Sequence, residues 1–375
     1  MTLTLVVALA ILFTLLAYLA TTLLLAREIV YPRRARPTRI LNTVGASEVV
    51  LSATPLTRFE GIIGLLYDDE ARLAVMSPGT RLPAGGEGVV RHMAIPADLH
   101  PKTDARACGN VFQPDEVTGV SPLAVDVQTA TGTQPAWLFP GSGPAATTWV
   151  IHIHGMLAGR DSAFRSVRAI SGSGWTSLVV SYPGDREAPG EAPRPSALGQ
   201  TEWQAVDDAV GLARSRGATK IFFIGWSLGA TIALYAAENG SHRDVLAGML
   251  LISPVISWAR SIRYAMAQNR VPSVLAISAM AALSLPLSSR LLRLDRSLSL
   301  PDQLPAPIVP TLVIHSKGDR TAPFASSSAF ATASDLVELV EFPPCPHAME
   351  WNEDPQRFSE VARRWIEGNH AVKPR

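Results

Sequence analysis

The sequence predicts a doubly wound α/β fold on a mainly parallel sheet, and three features support this prediction. Short, wholly apolar segments, typical of strands buried on both faces, recur between residues 148 and 342. Helical segments alternate with them, which is the order that parallel strands require. The stretch 221–236 combines an apolar strand, a tight turn and an Ala/Leu-rich helix, and its turn has the sequence Gly-Trp-Ser-Leu-Gly.

The N-terminus, residues 1–27, predicts a single-pass membrane anchor. Residues 2–26 carry no charge and would form a helix about 37 Å long, enough to cross a bilayer. A cleaved signal peptide is the alternative, but the segment lacks a basic start and a small-residue cleavage site. By the positive-inside rule, the arginines after the span predict that the main domain stays on the cytoplasmic side: Arg27, Arg33, Arg34, Arg36 and Arg39.

Two segments precede the main domain. Residues 28–44 indicate a basic linker, because Pro32 and Pro37 oppose a long helix. Residues 45–116 predict a small β-rich extension of short strands between turns, serving as a packing cover or a spacer near the membrane. Its acidic trio, residues 68–70, is interpreted as a solvated turn rather than a metal site.

Residues 117–368 form the predicted main domain, followed by a tail at 369–375. The domain begins with a β-hairpin at 123–139 and ends with a helix at 355–368. Residues 258–304 interrupt the alternation with helix-forming, apolar sequence that Pro286 breaks and that is too short to span a membrane. We interpret this insertion as a helical cap over the active site; packing on the outside of the scaffold is the alternative.

Ser227 is the candidate nucleophile. A serine in a strained turn between strand and helix needs neighbours without side chains, which Gly225 and Gly229 supply. A serine hydroxyl also needs an adjacent base, and histidine suits this role near neutral pH. Of the four histidines after Ser227, only His347 is predicted in a loop just past the carboxyl end of a strand, where sites in open sheets collect.

Asp319 is the candidate acid that would orient this histidine. It follows the predicted strand 311–315 closely, whereas Asp335 would begin a strand and point away from the carboxyl edge. A solvated turn aspartate is the alternative for Asp319.

These motifs resemble those of the α/β-hydrolase superfamily over residues 117–368. The matching segments are GWSLG, HIHGM after the strand at 148–152, KGDRTAP around Asp319 and CPHAMEW around His347. Ser227, Asp319 and His347 keep the family order of nucleophile, acid and histidine. The segments SYPGDREAP and LGQTEWQAVDDAV further resemble bacterial membrane-linked serine hydrolases, both esterase-like and peptidase-like.

The resemblance implies an oxyanion hole made by backbone N–H groups. Leu228 would supply one and Met156 the other, with Leu157 as the alternative to Met156. His154 is expected to hold this loop by a hydrogen bond. Trp226 and Trp351 could line the substrate pocket or pack in the core. Asp185, Arg186 and Glu187 could contact a polar group of the substrate, and a solvated loop is the alternative.

The predicted function is membrane-anchored hydrolysis of an ester or thioester through an acyl-enzyme on Ser227. The anchor and the apolar insertion indicate an acyl or lipid-like small-molecule substrate. A serine peptidase of the same fold and a non-catalytic binding protein are the alternatives. No cofactor or metal is expected, because no G-x-G-x-x-G motif opens a helix after the first strand. A net charge of +1 argues against nucleic acid. Cys108 and Cys345 are predicted to be buried free thiols, and a disulfide between them is the alternative if the domain is exported.

Overall fold

A computed structural model describes residues 3–32, 37–83, 86–185 and 194–370. The chain begins with helix α1, Leu3–Val30. Six strands then form an antiparallel sheet in the order β4-β3-β6-β1-β2-β5. They are β1 (Thr38–Val44), β2 (Glu48–Leu51), β3 (Ile63–Tyr67), β4 (Arg72–Met76), β5 (Val89–His92) and β6 (Asp104–Cys108).

The linker prediction for residues 28–44 is wrong in two places. Helix α1 continues to Val30, and residues 38–44 form β1, which pairs with β2 and β6. Thr38 and Ile40 are buried while Arg39 between them is exposed, so the strand has one core face despite its charge. Arg33, Arg34 and Arg36 lie outside the described residues.

The extension has its own hydrophobic core, and the main domain contributes to it. Ile40, Leu51 and Leu65 pack in one cluster with Cys345 and Met349, which follow the last strand of the main domain. Cys345 and Cys108 are both free thiols. The β-rich extension therefore lies directly against the segment that carries His347.

The main sheet has eight strands in the order β7-β8-β10-β9-β11-β12-β13-β14. The six strands from β9 onward are parallel, and the hairpin β7–β8 is antiparallel, which confirms the predicted mainly parallel sheet. The strands are β7 (Leu123–Thr129), β8 (Gly132–Phe139), β9 (Thr148–Ile153), β10 (Thr176–Val180), β11 (Lys220–Trp226), β12 (Leu246–Ile252), β13 (Thr311–Ser316) and β14 (Val337–Phe342).

Helices cover both faces of this sheet. Val206 of α3 and Ile232 of α4 contribute to one core cluster, and Ile170 of α2 and Phe358 of α10 contribute to another. This two-sided cover explains why the parallel strands are wholly apolar. The scaffold helices are α2 (Phe164–Ile170), α3 (Trp203–Ser215), α4 (Leu228–Asn239), α8 (Phe324–Thr332), α9 (Glu350–Glu353) and α10 (Pro355–His370).

The insertion between β12 and β13 is helical. It contains α5 (Trp258–Gln268), α6 (Ser273–Ser284) and α7 (Pro286–Leu291). The apolar cluster of this insertion includes Met156, and the side chain of Gln268 hydrogen-bonds to Arg320, the residue after Asp319. The insertion thus contacts loops at the carboxyl edge of the sheet, which favours the cap interpretation.

Helix α1 packs against this insertion. The Tyr18 hydroxyl lies 2.6 Å from the Ser278 hydroxyl, and the Tyr31 hydroxyl donates to Leu292 O at 3.2 Å. Within the described part of the chain, α1 is the one helix long and apolar enough to cross a membrane by length and composition. Its most apolar 18-residue window has a mean hydropathy of 2.6, and none of that window is buried in the protein.

Candidate active site

Ser227 occupies a single-residue turn between β11 and α4. Its φ of 54° and ψ of −113° are rarely adopted by a residue with a side chain. A Cβ at Gly225 would lie 2.6 Å from Gly229 O, and one at Gly229 would collide with Ile153 O. Both glycines are therefore required because the backbones of strand and helix approach each other closely.

The structure brings Ser227 together with His347 and Asp319. His347 Nε2 lies 2.7 Å from Ser227 Oγ, and His347 Nδ1 lies 2.6 Å from Asp319 Oδ2. Asp319 is buried, with 3% of its surface exposed. In this arrangement the serine hydroxyl can donate to Nε2 while Nδ1–H donates to the carboxylate.

The electrostatics of this pair favour a charged carboxylate beside an imidazole that readily accepts a proton. Burial by itself would raise the pKa of Asp319, but the positive charge of His347 and hydrogen bonds from His315 and His347 outweigh it, so this pKa is lowered. Burial also opposes charging of His347, yet the Asp319 charge and hydrogen bond raise the pKa of His347 above its ordinary value.

Asp319 is held by four hydrogen bonds. Its Oδ1 accepts from the backbone N–H groups of Thr321 at 2.7 Å and Ala322 at 2.9 Å. Its Oδ2 lies 3.0 Å from His315 Nε2, in addition to the contact with His347. The other ring nitrogen of His315 lies 2.8 Å from Ser327 Oγ. The role of His315 is not evident from the sequence, where its only signal is its position four residues before Asp319.

Buried polar groups hold the loop that carries His347 in place. The backbone N–H of Ala348 donates to Ser253 Oγ at 3.0 Å, and the Ser253 hydroxyl donates to Glu350 Oε1 at 2.6 Å. Arg165 donates to Ala348 O at 2.7 Å and to Asn352 Oδ1 at 2.5 Å. These residues were missed because they are scattered along the chain and form no local motif.

The loop that contains Gly155, Met156 and Leu157 passes beside Ser227, and Leu228 follows Ser227 at the start of α4. The assignment of Met156 and Leu228 as oxyanion donors stays a prediction. A Cβ at Gly155 would be 3.2 Å from Ser227 Cβ, so this loop passes close to the candidate nucleophile. Leu157 has a φ of 61°, a left-handed conformation that turns the chain immediately after Met156. Leu228 is the first residue of α4, so its backbone N–H has no acceptor within the helix.

His154 forms hydrogen bonds that hold residues 155–157, which we call the oxyanion loop after the donor predicted there. This role agrees with the sequence prediction for His154. Its Nδ1–H donates to Gly155 O at 2.9 Å, and its Nε2 lies 2.7 Å from Asp185 Oδ2. The Tyr182 hydroxyl donates to His154 O at 3.0 Å, and the Tyr182 ring stacks on the His154 imidazole. The Asp185 side chain is fully buried, so the solvated-loop interpretation is wrong for this residue. Arg186 and Glu187 lie outside the described residues.

Trp226 and Trp351 both pack in the core. The Trp226 ring stacks on Phe358 with centroids 5.7 Å apart, and its Nε1–H donates to Ser166 Oγ at 3.2 Å. The guanidinium of Arg165 lies 4.2 Å from the Trp226 ring centroid. Trp351 packs edge-on against Phe112. These tryptophans stabilise the scaffold directly beneath Ser227 and His347.

Comparison with known proteins agrees with this fold. Residues 138–361 match the sequence profile of the alpha/beta hydrolase family, and the chain belongs to this family. The esterase Pf2001 of Pyrococcus furiosus superposes with a TM-score of 0.52 at 16% identity, covering 69% of this chain and 96% of that one. A thermophilic esterase from Thermogutta terrifontis superposes with a TM-score of 0.46 at 21% identity, covering 66% and 100%. No curated protein matches the chain by sequence.

Proposed function

We propose that this protein is a membrane-anchored serine hydrolase that cleaves an ester or thioester through an acyl-enzyme on Ser227. The observation that carries the proposal is the continuous hydrogen-bonded row from Ser227 through His347 to the buried Asp319. A hydroxyl, an imidazole and a carboxylate in this order form the arrangement that activates a serine nucleophile.

The reaction follows from this arrangement. Ser227 Oγ attacks the acyl carbonyl while His347 Nε2 takes its proton, and Asp319 stabilises the resulting imidazolium. The N–H groups of Leu228 and Met156 donate to the oxyanion of the tetrahedral intermediate. The alcohol or thiol leaves with the proton from His347. Water then attacks the acyl-enzyme by the same route and releases the acid.

The experiment that tests this function compares the full-length protein with Ser227→Ala. We expect hydrolysis of a short p-nitrophenyl ester and labelling by a fluorophosphonate to be lost, while the thermal midpoint shows a folded protein. Ser215→Ala, which removes an exposed hydroxyl at the end of α3, is the matched control and should retain both. Full activity in Ser227→Ala would exclude this serine. A wild-type protein that takes no label would favour the non-catalytic binding protein, and faster cleavage of amides than of esters would favour the peptidase.

The anchor is proposed on the length and apolarity of α1, with the main domain on the cytoplasmic side because arginines follow the span. External protease applied to intact cells should leave the main domain uncut. Digestion of the main domain from outside would show that it lies on the opposite side of the membrane.

A further inference from the structure

The cap has an unusual outer surface. Five large apolar side chains are exposed in the eighteen residues 274–291, which include most of α6, all of α7 and Leu285 between them. We call these five the α6–α7 face, listed with the exposed fraction of each residue: Val274 (56%), Ile277 (57%), Leu285 (57%), Leu287 (73%) and Leu291 (65%). The other large exposed apolar residues described outside α1 are spread over seven separate parts of the chain: Val44, Leu82, Ile95, Val120, Leu123, Leu157, Ile308 and Leu336. Single exposed residues are ordinary on protein surfaces, whereas a concentration of this kind marks an interaction site.

The α6–α7 face adjoins the apolar part of α1. Ser278 of α6 is bonded to Tyr18 of α1 at 2.6 Å, between the outward-facing Ile277 and the buried Ala279. Tyr18 precedes Ala26, the last residue of the uncharged span, by about 12 Å of helix. If α1 crosses a bilayer, this part of α6 therefore lies beside the membrane-embedded part of α1, before the span reaches its C-terminal end.

Charge is arranged around the α6–α7 face as a membrane surface requires. Residues 271–289 contain no charged side chain. Exposed arginines stand at both ends of this stretch, Arg270 on one side and Arg290, Arg293 and Arg296 on the other, against the single acid Asp295. Arginine side chains at the ends of an inserted segment reach the phospholipid headgroups, and anionic lipid adds to their attraction.

We infer that the α6–α7 face inserts into the same leaflet of the bilayer as the C-terminal end of α1, and that the active site takes its substrate from that leaflet. This inference rests on the proposed membrane anchor and serine chemistry. The occupant of the face is lipid, because the neighbouring α1, which is bonded to α6, has the length and apolarity of a membrane span. The helix α6 lies in the interfacial region without crossing the membrane, since its twelve residues are too few to span.

The substrate class follows from what lies beneath α6. Its buried side, with Ala279 and Leu283, belongs to the cluster against which Met156 of the oxyanion loop packs. The helix that carries part of the α6–α7 face therefore also contributes to the apolar cluster that contacts the oxyanion loop. The expected substrate is a long-chain acyl ester or thioester that partitions into the bilayer, rather than a freely soluble ester.

Photolabelling of the full-length protein tests the insertion independently of activity. The protein is reconstituted in vesicles of phosphatidylcholine and phosphatidylglycerol containing a phospholipid with a diazirine on its acyl chain. After irradiation, we expect labelled peptides from residues 274–291 as well as from α1, and none containing Leu82 or Ile95. Labels confined to α1 would overturn the inference.

Kinetics test the substrate class. The double variant Leu285→Asp/Leu287→Asp should lower the rate on p-nitrophenyl palmitate dissolved in those vesicles by roughly tenfold or more, because charges oppose insertion. Its rate on water-soluble p-nitrophenyl butyrate should stay within about twofold of wild type, because these exposed side chains lie outside the reacting groups. The control Leu82→Asp/Ile95→Asp carries the same added charge on the extension and should affect neither rate.

An unchanged palmitate rate, or an equal fall with both esters, would overturn the substrate inference. Failure of the proposed chemistry has a different signature: wild type would cleave neither ester and take no fluorophosphonate. In that case the labelling pattern still decides whether the cap inserts.

Discussion

The Nε2 atom of His315 lies 3.0 Å from Asp319 Oδ2, the same oxygen that lies 2.6 Å from His347 Nδ1. One carboxylate oxygen thus accepts hydrogen bonds from two histidines. His315 is completely buried in β13 and does not contact Ser227 directly, so we assign it as a positioning residue that orients Asp319. Such groups act by keeping the orienting carboxylate ionised and in place.

Replacing His315 tests this role. His315→Leu removes the donor to Asp319, and we expect kcat on a short ester to fall roughly tenfold with little change in KM, because a hydrogen bond to a charged group is lost. His315→Gln retains an amide that can donate, and should recover part of the rate. A merely structural role would lower the thermal midpoint of both variants without this difference in kcat. Equal kcat for wild type and His315→Leu would contradict the assignment.

The raised pKa of His347 predicts the acid limb of the pH profile. The proposed reaction needs His347 neutral before Ser227 attacks, so it predicts that kcat/KM rises with pH about a midpoint above 6.5, the ordinary histidine value. Asp319→Asn removes the charge that raises this pKa, and the midpoint of its residual activity should move to lower pH. Asp335→Asn, at an exposed position, is the control and should leave the midpoint unchanged. A midpoint that does not move in Asp319→Asn would show that Asp319 does not raise the pKa of His347.

The same two shifts make stability depend on pH in opposite directions. The lowered pKa of Asp319 contributes stability above its ordinary value of 3.8, and this stability is lost as pH falls toward the folded value. The raised pKa of His347 contributes stability below 6.5, and this is lost as pH rises through the folded value. Urea midpoints of wild type and Asp319→Asn should therefore differ less in strong acid than near neutrality.

Asn352 joins the extension to the loop that carries His347. Its amide donates to Ile62 O and Gly109 O, both at 2.9 Å, and its carbonyl oxygen accepts from Arg165 at 2.5 Å. Asn352→Ala leaves two half-buried carbonyls and a buried guanidinium short of partners, so we expect a loss of about 3 kcal/mol in the free energy of unfolding.

Asn239→Ala is the control for this substitution. Asn239 lies at the exposed end of α4, and its loss should cost no more than about 0.5 kcal/mol. Urea unfolding measures both values. Equal stability of the two variants would mean that Asn352 does not join the extension to the His347 loop.

Much of the fold and of the candidate site was predictable from the sequence because the signals are local. Strand segments such as 246–252 are short apolar runs, and the Ser227 turn is specified by two glycines within five residues. Residues 38–44 resemble a linker in the sequence because prolines and arginines precede them. A charged strand with one buried face is recognisable only once its partner strands are known. The burial of Asp185 is not predictable from the local sequence, because its partner, His154, lies 31 positions earlier, in the loop after β9.

The sequence by itself determined the parallel α/β architecture, the apolar N-terminal helix and the order of Ser227, Asp319 and His347, because each depends on the spacing of neighbouring residues. Only the tertiary structure decided that His315 shares the carboxylate of Asp319, that Asn352 bonds to a carbonyl 290 positions earlier, and that α6 lies against α1. These contacts arise from folding in three dimensions: side chains far apart along the chain meet only after the sheets and helices have packed.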